Sequence, residues 1–153
     1  MGMAAGTGRV ACVLLVQGKL TDWRMSNKGS KSPSLAGTQA RAWIETLEPN
    51  VVVTRNAEAS GTRGRSPLIV EAMAEAATKA KIISVSLPRP RDFQNKYEEA
   101  EALSKSYPDL VAWMPAPRRF FDNEPRNTVL FEALALADRL VRDGPVGLAA
   151  AMG

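Results

Sequence analysis

Between residues 128 and 141 the apolar side chains Val129, Leu130, Ala133, Leu134, Ala137, Leu140 and Val141 return at helical spacing. This predicts a long amphipathic helix. Glu132 interrupts the pattern. At about 100° per residue it stands on the flank beside Val129 and Leu136, at the edge of the apolar stripe. A carboxylate there is either a rim residue reaching water or an acid held over a site.

Upstream the period changes. Val10-Ala11-Cys12-Val13-Leu14-Leu15-Val16 is a continuous apolar run, the mark of a buried strand. Gln17-Gly18-Lys19 supplies a turn, and 20–25 alternates, so the two segments predict a β-hairpin. Residues 27–34, rich in Ser, Lys and Gly, read as an exposed loop. Ala36, Ala40, Trp43, Ile44 and Leu47 mark a first helix that stops at Pro49. Val51-Val52-Val53-Thr54 is a β-branched strand, expected at the centre of the sheet. A basic, glycine-bearing loop follows it. Ser66 and Pro67 suit a helix start, and Leu68, Ile69, Ala72, Met73 and Ala76 give that second helix its buried face. A strand at 82–87 should neighbour 51–54. A helix at 97–107 ends at Pro108, and a proline-bounded connection at 110–117 leads to the last helix. The predicted order is β-β-α-β-α-β-α-α, an α/β domain over residues 9–142. Residues 1–8 are expected to be flexible or a truncated first strand, and 143–153 a loose tail.

Composition narrows the chemistry. The 153 residues suffice for one domain with a real core, and 45% are hydrophobic. No apolar run approaches the roughly 20 residues that span a bilayer, and no signal peptide is evident, which points to a cytoplasmic protein. The single Cys12 excludes an internal disulfide. The absence of histidine removes Ser-His-Asp and Cys-His catalysis and nearly every zinc site. Any metal would be a hard, oxygen-bound ion such as magnesium. A net charge of +4 permits a polyanionic partner. Trp23, Trp43 and Trp113 are read as core residues rather than stacking platforms.

Several segments together carry a resemblance. They are Gly18-Lys19-Leu20-Thr21-Asp22-Trp23, Gly61-Thr62-Arg63-Gly64-Arg65-Ser66-Pro67, Asn95-Lys96-Tyr97-Glu98-Glu99-Ala100, Tyr107-Pro108-Asp109-Leu110, Pro115-Ala116-Pro117-Arg118-Arg119, Glu124-Pro125-Arg126 and Phe131-Glu132-Ala133-Leu134. In this order the set resembles RuvC-like Holliday-junction resolvases, over roughly residues 9–140. The resemblance implies a ribonuclease H-like fold, a mixed sheet flanked by helices, whose leading strand is here missing or truncated. It further implies a nucleic-acid partner, branched or structured DNA. In the family, acids on the first strand, at the end of the strand after the first helix and on the last helix hold two divalent ions for phosphodiester cleavage.

The acid set departs from that pattern. No acid precedes Asp22, and Arg55 and Asn56 stand where an acid should follow Val51-Val52-Val53-Thr54. Glu132 matches the pattern on the last helix. Asp122, Glu124 and Glu58 are the available helpers, with Glu132, Glu124 and Glu58 the candidate magnesium ligands and Glu132, Glu124 and Asp122 the candidate catalytic acids. Arg55, Arg63, Arg65, Arg118 and Arg119 are candidate phosphate contacts. The implied protein is either a magnesium-dependent endodeoxyribonuclease with a rearranged acid set or a degenerate member that binds DNA without cutting it; the departures favour the second. A different class stays open: an assembly module whose missing first strand exposes a sheet edge that a partner or second copy, as in a homodimer, would cover.

Overall fold

The computed structural model describes residues 1–6, 8–56, 66–88, 96–114 and 127–152. Among these residues five strands form one mixed sheet: β1 Gly2–Gly6, β2 Arg9–Val16, β3 Lys19–Ser26, β4 Val51–Arg55 and β5 Ile83–Leu87. Four α-helices among the described residues accompany them: α1 Pro33–Leu47, α2 Ser66–Lys79, α3 Lys96–Ser106 and α4 Thr128–Met152. Short 3-10 helices occupy Lys28–Ser30 and Pro108–Trp113. No helix among the described residues is long and apolar enough to cross a membrane.

The sheet order is β3-β2-β1-β4-β5. β1–β2–β3 is an antiparallel meander, while β1, β4 and β5 run parallel. This corrects two expectations. The first residues are an ordered strand, short but complete enough to hold the middle of the sheet. Gly2 pairs with Val13 on one side and Val53 on the other, and Val53 N donates to Met1 O at 2.8 Å. Met3 and Ala4 are buried. The centre therefore belongs to β1, and β4 lies one place off it. The open edge invoked for an assembly module disappears with the gap, as does that motive for a homodimer.

The period-2 alternation of each strand divides the core between the two faces. Met3, Val10, Cys12 and Val52 point toward α1 and α2, meeting Ala40, Trp43, Ile69 and Met73. Ala4, Ala11 and Val13 point the other way, toward Val129, Leu130, Ala133 and Leu134 of α4 and Leu103 of α3. Val53 and Val85 meet Leu136. Cys12 is fully buried, and burial pushes its thiol from 9.0 up to about 12.

Helix α4 can lie this close to β1 because Gly2 and Gly6 offer no side chain. A methyl on Gly2 would collide with the backbone carbonyl of Ala133, and one on Gly6 would stand 3.2 Å from Val129 Cβ. The helix is buried on most sides from Val129 to Ala137. Past Asp143 it breaks at Gly144 (φ 62°, ψ −157°) and resumes to Met152, where a loose tail was expected.

The helix limits follow local chemistry. Ser32 Oγ accepts from Leu35 N at 3.1 Å to cap α1, Pro33 takes the first turn, and Glu48 ends the helix in the left-handed region before Pro49. Trp43 is buried as expected and Trp23 half-buried, but Trp113 is exposed.

Candidate functional site

The chain leaves β1 toward β2 and β3 on one side, then crosses through α1 to β4 on the other. In an open α/β sheet, the crevice beyond the carboxyl ends of two such strands is where ligands bind. Here it is bounded by Ala4–Gly6 of β1, Thr54–Asn56 at the end of β4, and the start of α4.

Register assigns the side chains. Gly2 is level with Val53 in the parallel pair, so Ala4 and Arg55 both lie beyond it, toward the carboxyl ends of their strands. Val51 and Val53 face α4, so by alternation Arg55 does too. Gly6 lies under Val129 and Gly2 under Ala133 and Ala137, so α4 runs antiparallel to β1 and begins at the crevice. Leu136 packs with Val53. Glu132, one turn nearer the helix start, is thereby carried toward the end of β4. Arg55 and Glu132 occupy the same flank of the crevice, both half-buried.

The other sequence-selected residues, Glu58, Arg63, Arg65, Arg118, Arg119, Asp122 and Glu124, lie outside the described residues. Among the described residues no three His, Cys, Asp or Glu side chains gather as a metal cluster. The β1 and β4 positions on the α4 face supply a methyl group, Ala4, and a guanidinium, Arg55. A magnesium ion needs several oxygen ligands and is repelled by a fixed positive charge. The described donor set therefore does not fit a two-ion centre.

What the crevice offers instead is positive potential. The first turn of α4 itself carries no acid, so among the described residues no carboxylate in that turn offsets the helix dipole at the opening. Arg9, at the start of β2, donates from Nη1 to Asn127 Oδ1 at 2.9 Å just before that turn. Thr128 is 4% exposed, and its Oγ1 has no hydrogen-bond partner among the described residues.

Sequence patterning missed Arg9, whose role depends on a partner 118 residues away. It also passed over Asp138, further along α4. Tyr107 Oη donates to Asp138 Oδ1 at 2.8 Å, and Arg142 Nε lies 2.8 Å from Asp138 Oδ2. Burial, then the bond to this carboxylate, push the Tyr107 hydroxyl up to about 12. The only signal for Asp138 was an acid beside the apolar stripe, a weak one. A groove between α1 and α2, floored by Gly37, Ile44 and Ala72, lies on the other face of the sheet. The charges Arg41–Glu45 and Lys79–Glu75 on its walls are paired within their own helices.

No protein family matches the chain by sequence, and no curated protein does. Solved structures do match. Thermus thermophilus RuvC in complex with a Holliday junction substrate superposes with a TM-score of 0.59 at 14% identity, covering 99% of this chain and 94% of that one. A second Thermus thermophilus RuvC structure gives 0.57 at 12% identity, over 96% and 95%. The fold is RuvC-like. With it the expected architecture, a ribonuclease H-like mixed sheet flanked by helices, is established, and the RuvC-like coverage extends through β1.

Proposed function

We propose that the protein binds nucleic acid, with branched or structured DNA as its substrate class, and that the sugar-phosphate backbone enters the crevice at the ends of β1 and β4 without being cut. The observation that carries this reading is Arg55. It ends β4 on the α4 face, where the neighbouring β1 offers only Ala4, so one strand lacks the acid of the resolvase pattern and its neighbour carries a cation instead. A centre that attracts metal ions through carboxylates becomes one that attracts phosphate directly. Arg is suited to this, since its planar fork can meet two phosphate oxygens at once. The start of α4 adds N–H donors and a favourable dipole. The RuvC-like fold supports the same substrate class, because the Thermus thermophilus relative was solved with a Holliday junction. Arg63, Arg65, Arg118 and Arg119 would extend the contacts, and Glu132 remains as the one described carboxylate at the crevice.

The test incubates the purified chain with a labelled four-way junction in magnesium or manganese, beside Glu132→Gln and Arg55→Gln. The expected result is binding without cleavage, weakened by Arg55→Gln and unchanged or slightly tightened by Glu132→Gln. Metal-dependent cutting that Glu132→Gln abolishes would establish the nuclease instead, with Asp122, Glu124 and Glu58 as the remaining candidate acids. No binding at low salt would remove the nucleic-acid reading.

A further inference from the structure

A second group of cations sits at the same end of the sheet, on a segment that composition assigns to an exposed loop. The structure orders it. Lys28–Ser30 forms a 3-10 turn, with Ser30 Oγ donating to Asn27 O at 2.8 Å and Lys31 N donating to Lys28 O at 3.2 Å. Gly29 is buried against β2: a Cβ there would stand 2.6 Å from Val10 Cγ2. Gly29 N donates to Ser26 Oγ at 3.1 Å, and the Ser32 cap starts α1 directly afterwards. A Gly/Ser/Lys stretch is thus seated on the sheet by its one buried glycine.

Arg9 joins this platform to the crevice. Its Nε donates to Asn27 Oδ1 at 2.9 Å and its Nη1 to Asn127 Oδ1 at 2.9 Å, so one guanidinium bridges the base of the 3-10 turn and the start of α4. The side chains on the platform face solvent. Lys28 and Lys31 are exposed. Residues three apart in a 3-10 helix eclipse one another, about 6 Å apart along the axis. Arg24, on the adjoining edge strand β3, is exposed too, with Asp22 3.4 Å away. The first turn of α1 carries no acid. Nor does the segment from Asn27 to Ser34 expose an aromatic or large aliphatic side chain. A protein partner would need such an anchor at the heart of its interface; a phosphate backbone would not.

We propose that Lys28 and Lys31, with Arg24 further back along the β3 edge, form a second phosphate-contact surface that takes the backbone of the same nucleic acid whose neighbouring stretch occupies the crevice. This rests on the nucleic-acid reading of the crevice and adds a track along the β3 edge. Arg9 is the positioning residue that keeps track and crevice in fixed relation.

The experiment measures junction affinity by fluorescence anisotropy across a salt series, for the full chain and for Lys28→Ala/Lys31→Ala and Lys28→Arg/Lys31→Arg. Thermal melts of each check the fold. The alanine pair should bind roughly tenfold more weakly at low salt and lower the slope of log K against log salt by about 1.8, near 0.9 for each lost phosphate contact. Its melting should match the parent, and the arginine pair should bind like the parent. If the parent binds the junction and the alanine pair keeps both affinity and slope, the track is wrong while the crevice reading stands. If the parent binds no nucleic acid, both fall. An acidic polypeptide bound in a lysine-dependent way by a parent that ignores DNA would assign the surface to a protein partner and overturn the proposal.

Discussion

Helix α4 carries Glu132 near the crevice and Asp138 within its buried stretch, and the two carboxylates have opposite fates. Glu132 is half-buried at the flank where β4 ends in Arg55. Asp138 is 8% exposed and held by the Tyr107 hydroxyl and the Arg142 guanidinium, each at 2.8 Å. The Tyr107 bond makes Asp138 a fastener between the end of α3 and α4, while Arg142 pairs with it one turn along α4 itself. Glu132 is half-buried on the same helix, at the crevice end. An acid on a helix is therefore defined less by its own position than by what the fold brings opposite it.

Both roles depend on α4 lying flush on β1, and disturbing that seat should have the largest effect. Gly2→Ala forces a methyl into the Ala133 carbonyl, a backbone group that cannot rotate away. It should cost about 3 kcal/mol, read as a lowered denaturation midpoint. Gly6→Ala, which meets only the Val129 side chain, should cost far less. Equal losses would show that the helix is not held as closely as the contact with Gly2 implies.

Asp138→Ala leaves a buried hydroxyl without its acceptor and should cost about 2 kcal/mol. Chemical denaturation checks this against Tyr107→Phe, which should lose less because no buried donor is left over. A comparable effect, about 2 kcal/mol at pH 10, should come from alkali. The Cys12 thiol rises from 9.0 to about 12 and the Tyr107 hydroxyl from 10.0 to about 12 on folding. Both hold their protons more tightly in the folded chain. The stability this confers is whole below pH 9 and is lost as pH rises toward 12. Melting temperature followed from pH 8 to 11 should fall, and Cys12→Ala should flatten the start of that fall. Glu132→Gln should come last, within about 0.5 kcal/mol of the parent in stability. A large loss there would place Glu132 with Asp138 as a structural acid and erase the contrast.

Much of the architecture was legible in the residues themselves. Repeating apolar spacing marked α1, α2 and α4, and β-branched runs marked β4 and β5, because burial on one face imposes a period that survives in sequence. The absence of histidine and the placing of Arg55 after Val51-Val52-Val53-Thr54 were equally plain. β1 was not. Gly2-Met3-Ala4-Ala5-Gly6 has neither β-branched residues nor clear alternation, and small residues that look like a flexible start are what a helix packed hard on a strand requires. The ordered turn at Lys28–Ser30 escaped for a similar reason: its stability lies in Gly29 against Val10 and in Arg9 reaching Asn27, contacts that no local pattern records. Local pattern was enough to tell which segments could be helix or strand and which chemistries were out of reach. It took the folded chain to make β1 the centre of the sheet, to bring the ends of β1 and β4 to one crevice, and to lock Asp138 against Tyr107. Each of those facts is a meeting of residues far apart along the chain.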